Sequence, residues 1–409
     1  ISVSTWTPGS VTASIGPRAA STVEVRNLPD VEPAPFASRR KRSAQAGTLM
    51  NGGGVTKRLM EFVKELVGYV KGGLAYATIV TSAILSAILG SPNAVSSILC
   101  SVMLPDLEKD GSDMEFGGAL IAASGVLGPI IPPSTTFVIF ATLSGVSVKG
   151  LFVAGIIPGI LIAVAYAAVV AIYVRKKNLP RAIDNINLRR LGASFVRAIP
   201  ALIVPLVIVG GVMTGAFTPT ESGAVSCVAA ILAGVFYRSF DFKKVPQMLL
   251  RAGSISAAIL FIIAAGNLMG YSLEVDNIPS RVAAAVLSWT SSKELIILLL
   301  LAVMIAVGCL MEATAAITIF TPVMMSIVTA IGMDPLHFGL VFCIMMTIAL
   351  ITPPVGMLLF VTSNISKIEL TRLNKAILPF CAAAFIVTFS LAFLPDVALF
   401  LPRLFGYGV

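Results

Sequence analysis

The sequence predicts an all-α polytopic membrane protein, and three observations carry that prediction. Of its 409 residues 57% are hydrophobic and only 12% charged, and a mean hydropathy of +0.95 lies outside the range of soluble domains. Nearly uncharged runs such as Leu151 to Val174 and Ala376 to Leu394 reach the roughly 20 residues a helix needs to cross the hydrocarbon core. Basic residues stand at the ends of apolar segments, as Arg175, Lys176, Lys177 and Arg181 do, and Arg238, Lys243 and Lys244, which is how cytoplasmic loops look. The formal net charge of +9 therefore reads as a topology signal and not as a nucleic-acid surface.

Residues 1–46 differ from the rest, being rich in Ser, Pro, Ala and Arg with no apolar span. They read as disordered. No apolar stretch follows their basic residues, so no signal peptide is recognisable, and Arg39 to Arg42 read as a basic cluster drawn to anionic lipid heads. Residues 47–70 then read as an amphipathic surface helix, with Leu59, Phe62, Val63, Leu66, Val67 and Val70 on one face and Lys57, Glu61 and Lys64 opposite. Apolar segments follow at about 73–90, 94–104, 115–131, 135–144, 150–174, 196–216, 222–237, 252–273, 280–290, 294–311, 315–331, 338–351, 355–363 and 376–402. Short ones come in pairs joined by small tips, GSPNA (Gly90 to Ala94) and MEATA (Met311 to Ala315). Each pair reads as a re-entrant hairpin, whose tip survives at membrane depth only when buried or lining a wet cavity, or as two tilted spanning helices with a tight turn.

One offset recurs across the chain. Ser91 and Glu312, Ala94 and Ala315, Gly111 and Gly332, Asp113 and Asp334, Gly118 and Gly339, Pro132–Pro133 and Pro353–Pro354, and Pro158 and Pro379 all stand 221 positions apart. Matching interruptions in two halves point to the binding site of a secondary transporter built from repeats. The double prolines in GPIIPPS (Gly128 to Ser134) and ITPPVG (Ile351 to Gly356) cannot continue a helix, because proline lacks the N–H donor and clashes with the carbonyl four residues back. An unwound segment frees carbonyl oxygens for a cation such as Na⁺, and half-helix N-termini attract the carboxylate of an anionic substrate.

Other chemistries find little material. A single histidine, His337, and five cysteines, all in apolar stretches, argue against a His-based triad, a zinc site or a disulfide framework, and the cysteines read as small buried hydrophobes. His337 reads as an interfacial or turn residue. A serine hydrolase lacks a Gly-x-Ser-x-Gly motif; the chain reads as no enzyme. Glu221 in FTPTESGA (Phe217 to Ala224) reads as a helix-start residue, with Thr218 or Thr220 capping. Ser124 and Ser134 either face substrate or bond a nearby carbonyl.

These motifs resemble the large membrane subunit, the DctM-like M subunit, of the tripartite ATP-independent periplasmic (TRAP) transporters. The resemblance runs from about residue 47 to the end and rests on GTLMNGGGVTKRL, GGLAYA, AILGSPNAV, GPIIPPS, LFVAGIIPGIL, GVMTGAFTPTESGAV, GMDPLHFGLV, ITPPVGMLLFV and ILPF. It implies an elevator-type secondary transporter with two inverted repeats, each with a re-entrant helical hairpin and a broken helix, in the bacterial inner membrane. It further implies Na⁺-coupled symport of a small organic acid such as a C4-dicarboxylate or sialic acid, with a periplasmic substrate-binding protein and a small four-helix membrane subunit as partners. Carried onto this chain, Gly90, Ser91, Asn93 and Ala94 with the break Gly128 to Ser134, including Pro132, would form one Na⁺ site. Glu312, Ala313, Thr314 and Ala315 with Thr352 to Gly356 would form the other. The substrate would lie between, near Ser91, Asn93, Ser134, Thr314 and Thr352. Residues 71–175 and 294–409 would be the two transport repeats and 176–293 the scaffold. Glu312 departs from the aspartate of many members and is expected to serve the tip's hydrogen bonding. Residues 1–46 depart more, since members carry apolar sequence there. The expectation is a disrupted or truncated coding sequence, which would leave an inactive or purely structural subunit.

Overall fold

The computed structural model describes residues 55–183, 187–237, 243, 245–290 and 292–407. The readings of residues 1–46, of Arg39 to Arg42 and of GTLMNGGG fall outside them. Regular structure among the described residues is helical, apart from an isolated bridge between Lys71 and Arg181, and six helices are long and apolar enough to cross a membrane.

The chain opens with α1 (Val55–Val67) and a first helical hairpin, α2 (Gly73–Leu89) and α3 (Pro92–Val102). Gly90 closes α2 in the left-handed region at φ 61°, which glycine reaches without steric cost. Pro92 then starts α3, where its missing N–H is no loss. Pro105 sits at the start of a short α4 (Leu104–Lys109), so the hairpin's second arm bends there. Then come α5 (Met114–Gly125), the irregular stretch 126–134, α6 (Thr135–Ser144) and α7 (Val148–Lys177).

Four helices intervene: α8 (Leu188–Met213), α9 (Pro219–Phe236), α10 (Val245–Val275) and α11 (Ile278–Trp289). The second half runs through the hairpin α12 (Lys293–Leu310) and α13 (Ala313–Ala330), α14 (Pro335–Ala349), the stretch 350–356, α15 (Met357–Ser366) and α16 (Leu370–Phe393), ending in α17 (Pro395–Ala398) and α18 (Phe400–Leu404). The ends of α2 and α12 stand 221 positions apart, as do the starts of α3 and α13 and of α5 and α14. For α6 and α15, and for α7 and α16, the starts stand 222 apart.

The core lies around α5 and α14. Phe338 through Ala349 are buried without exception, as a helix hydrophobic on every face must be. Around this centre the halves interlock: α6 packs on the second hairpin's arm α13, and α15 packs on the first hairpin's arm α3. Outside stand α8 to α11, with α8 against α1 and α9, and α10 and α11 against α13. Helix α10 meets the protein through Gly266 and Gly270 and is otherwise mostly exposed with an apolar surface, which suits lipid.

Two sequence readings change. The apolar face of α1 is covered by protein, since Leu59, Met60 and Val63 are buried under α8 and α2, while Leu66 and Val70 stay exposed. Cys227 is exposed and is not a buried hydrophobe like Cys100, Cys309, Cys343 and Cys381. It lies on the outward face of peripheral α9 beside exposed Val228, Ile231 and Leu232.

Candidate functional site

The tip of the first hairpin leaves a helix end open. Ser91 is extended before α3, and its side chain caps no backbone N–H; the side chains of Ser91 and Asn93 make no hydrogen bond among the described residues. The first N–H groups of α3 therefore keep the positive end of the helix dipole free of a capping oxygen. The tip touches the break of its own half, where Thr135 Oγ1 donates to the Gly90 carbonyl at 3.4 Å.

Close approach of backbone creates this junction. A Cβ on Gly125 would stand 2.4 Å from Ser96 Oγ and 3.3 Å from the Pro92 carbonyl, and one on Gly128 would stand 2.7 Å from Ser86 Cβ. Only glycine fits at either position.

Beyond Gly128 the chain unwinds through Pro132 and Pro133. Among the described residues no donor pairs with the carbonyls of Gly128, Ile131, Pro132 or Pro133, so the break supplies free acceptors. The Pro129 carbonyl is engaged instead, accepting from Ser134 Oγ at 2.5 Å and Thr136 Oγ1 at 3.1 Å. Ser134 is buried, and its oxygen also accepts from Phe137 N at 3.2 Å. Of its two readings, the structure supports a bond to a nearby carbonyl together with a cap on α6.

The second tip is closed by its own acid. Glu312 caps α13, Oε2 accepting from Thr314 N at 2.8 Å and Ala315 N at 3.2 Å, while Oε1 accepts from Thr314 Oγ1 at 3.2 Å. Glu312, Thr314 and Ala315 are thus gathered in one cap, in the hydrogen-bonding role expected for Glu312. The second break resembles the first in its free carbonyls, since those of Thr352, Pro353 and Val355 accept no bond among the described residues. Ile351 accepts from Cys381 Sγ at 3.3 Å and Pro354 from Asn374 Nδ2 at 3.5 Å. Thr352 bonds back to the Ile348 carbonyl at 3.1 Å, and Gly356 turns at φ 49° before α15.

Among the described residues no hydrogen bond or ion pair links Gly90–Ala94 to 311–315; the two regions are connected through α6 and α15. Leu358 of α15 lies 3.5 Å from the Cβ position of Gly125, and Cys343 Sγ of α14 lies 3.7 Å from the Thr136 carbonyl of α6.

Beyond Ser124, sequence reasoning missed a group of hydroxyls beside the first tip; Ser124 itself bonds no nearby carbonyl among the described residues. Thr81, Ser82, Ser86, Ser96 and Ser124 are fully buried, and their hydroxyls have no hydrogen-bond partner among the described residues. Helical hydroxyls elsewhere in the chain bond the carbonyl four residues back, as Thr78, Thr321, Thr347, Thr362 and Thr388 do. The residues 221 positions later are Ala302, Val303, Val307, Ile317 and Met345, all apolar. That contrast was the available signal: Ser82 and Ser86 stand one turn apart on a helix whose counterpart carries valine at both places.

Other residues fall into structural roles. Glu221 and Thr218 form a capping box, Thr218 N donating to Glu221 Oε2 at 2.7 Å and Glu221 N to Thr218 Oγ1 at 3.2 Å. His337 stands at a helix start, as its turn reading expects, and is buried, its Nε2 bonding the Leu391 carbonyl at 2.8 Å.

The site offers carbonyl and hydroxyl oxygens and helix ends, which are the means to hold a cation and an anion side by side. Comparison with known proteins identifies the family. The family model described as "Tripartite ATP-independent periplasmic transporter, DctM component" matches residues 45–397. The chain is 35% identical to YgiK of Salmonella typhimurium over 362 residues, 88% of this chain and 83% of that protein. It is 34% identical to the C4-dicarboxylate TRAP transporter large permease protein DctM of Pseudomonas aeruginosa over 362 residues, 88% of this chain and 84% of the relative. With the sialic acid TRAP transporter large permease protein SiaM of Vibrio cholerae the identity is 31% over 364 residues, 88% of this chain and 85% of the relative. An apolar helical chain with two broken-helix junctions, matched over most of its length by permeases and not by enzymes, belongs to the DctM family of large permease subunits of the tripartite ATP-independent periplasmic transporters.

Proposed function

We propose that this chain carries a small organic acid across the bacterial inner membrane together with Na⁺, as the permease of a system completed by a small four-helix membrane subunit and a periplasmic binding protein. The observation that carries the reading is the interlock of the two halves. Helix α6, which follows the first break, packs on the second hairpin, and α15, which follows the second break, packs on the first. Each break thereby serves both halves, and two inverted repeats with re-entrant hairpins are the simplest source of such an exchange, supported by helix ends 221 positions apart.

In this reading the free carbonyls of 128–133 and 352–355 hold Na⁺ beside the tips, with Gly90, Ser91, Asn93 and Ala94 on one side and Glu312 and Ala315 on the other. The uncapped start of α3 faces the substrate carboxylate. Ser91, Asn93, Thr314 and Thr352 remain the substrate contacts; Ser134 acts behind them, fixing the shape of the break. The hairpins, breaks and short helices move as an elevator against α8 to α11, whose glycine seam at Gly266 and Gly270 permits close passage along α13.

A carboxylate is favoured because relatives include permeases named for C4-dicarboxylate and for sialic acid. The test is uptake of radiolabelled organic acids into proteoliposomes holding the chain, the small subunit and its binding protein. A Na⁺ gradient should drive accumulation. A folded sample that shows no Na⁺-stimulated uptake of any tested acid would overturn the proposal in favour of a purely structural subunit.

A further inference from the structure

Away from the hairpins, a groove of about 600 Å³ opens between α1, α8 and the end of α9, lined by Lys57, Arg58, Glu61, Val196, Arg197, Phe236 and Tyr237. We propose that it binds the headgroup of an anionic phospholipid.

The groove has a built floor. Tyr237 is buried and donates its hydroxyl to the Arg197 carbonyl at 2.6 Å, the Arg58 guanidinium lies 4.1 Å from the Tyr237 ring centre, and Phe62 meets Phe195 at 5.4 Å between centroids. These contacts hold α1, α8 and α9 together and fix where the cations stand.

Charge in the groove is unbalanced. Three cations, Lys57, Arg58 and Arg197, face one carboxylate, Glu61, and none of the three forms an ion pair among the described residues. Guanidinium and ammonium groups without carboxylate partners suit a phosphodiester. A choline or ethanolamine head would bring its own cation into this excess and find only Glu61.

The other wall is apolar and exposed, Val196 at 62% and Phe236 at 73%. A free phosphate gains nothing from such a wall, whereas a lipid lays its acyl chains along it. Its place in the membrane fits as well. The groove lies at the end where α7 finishes in Arg175, Lys176 and Lys177 and α8 begins with Arg189 and Arg190, while the opposite turn between α8 and α9, residues 214–218, holds no Lys or Arg itself and is met by Lys149 from the start of α7. That asymmetry marks the cytoplasmic face, where basic pockets between helices meet anionic headgroups.

The experiment is native mass spectrometry of the purified full chain in mild detergent, titrated with phosphatidylglycerol or phosphatidylcholine. Wild type is expected to retain phosphatidylglycerol at concentrations at least about tenfold lower than phosphatidylcholine. Lys57→Gln with Arg197→Gln should erase that preference. The control, Arg189→Gln with Arg190→Gln, removes the same charge from the same face outside the groove and should keep it. Equal retention of the two lipids by wild type, equal loss in both double variants, or full displacement of phosphatidylglycerol by millimolar inorganic phosphate would each overturn the proposal.

Discussion

The two hairpin regions share a backbone plan and differ in chemistry. Around the first, five buried hydroxyls lack partners and the tip helix is uncapped; around the second, the corresponding positions are apolar and Glu312 closes the tip. A buried hydroxyl without a partner costs stability, so the first region carries a cost that the second avoids. The shared frame thus sets where helices break, while side chains decide which region keeps unpaired polar groups. In the proposed transport cycle these unpaired oxygens would bond ions, water or substrate.

The largest effect should come from filling the glycine junctions. Gly125→Ala and Gly308→Ala both put a Cβ 2.4 Å from a neighbour, Ser96 Oγ in the first region and Ala349 Cβ in the second. Each should cost ~1–3 kcal/mol, lower the detergent-solubilised melting temperature and abolish uptake. Ala349→Gly should rescue Gly308→Ala, since it removes the clashing atom. Ser96→Gly should rescue Gly125→Ala only in part, because the Pro92 carbonyl stays 3.3 Å away. Full rescue in both regions would show the junctions to be equivalent.

Next in size is the exchange of polar for apolar between the regions. Ser86→Ala removes an unpartnered buried hydroxyl and should leave stability unchanged or raise it by up to ~1 kcal/mol, while Na⁺-driven uptake falls. Val307→Ser, at the corresponding but only partly buried position, loses apolar contact while its hydroxyl can bond the Val303 carbonyl, and should destabilise by no more than ~1 kcal/mol. If Ser86→Ala melts earlier than wild type, its hydroxyl has a structural partner and the contrast between the hairpins fails.

How far the sequence discloses this arrangement depends on range. The membrane class, the two hairpins and both breaks are legible because hydropathy, proline and the 221-residue offset are local or periodic signals. Glu221 was legible for the same reason, its capping box being complete within Thr218–Glu221. The packing of α6 on α13 leaves no such trace, as it joins segments far apart in the chain. Glu312 was read as a tip hydrogen-bonding residue, and its cap confirms that role; Ser134 was ambiguous because a serine before a helix is equally a cap or a ligand. Cys227 was misread because composition cannot tell an apolar face turned to lipid from one turned to protein, and the burial of His337 depends on α16, more than fifty residues further on.

The tips themselves provide a smaller contrast. Glu312→Ala removes a cap accepting two backbone N–H groups and should cost ~1 kcal/mol. Ser91→Ala has no cap to lose, so its melting temperature should match wild type while the Na⁺ concentration for half-maximal uptake rises. Equal thermal shifts in the two variants would remove the distinction between an open and a closed tip.

The smallest effect concerns Asp113 and Asp334, which precede α5 and α14 at the same relative position. Asp334 caps its helix, Oδ1 accepting from Leu336 N at 2.7 Å, whereas Asp113 reaches across to α7 and accepts from Lys177 Nζ and Tyr173 Oη, both at 2.9 Å. The Lys177 hydrogen bond holds the Asp113 carboxyl below the usual aspartate value against a partial desolvation that pushes it up, and the Tyr173 hydroxyl adds to the lowering. A lowered folded value means that the stabilisation is present in full above the unfolded value of about 3.9 and is lost as pH falls through the folded one. Both partners of the ion pair are nearly half exposed, so its contribution is no more than ~1 kcal/mol. Asp113→Asn should therefore melt slightly below wild type from pH 7 down to about 5, with the gap closing below about pH 4 as the wild-type carboxylate protonates. Asp334→Asn should show almost no gap at neutral pH, because asparagine caps a helix as well as aspartate does. An equal deficit in the two variants at pH 7 would mean that Asp113 also acts as a cap, and that the halves match at this turn more closely than their hydrogen bonds indicate.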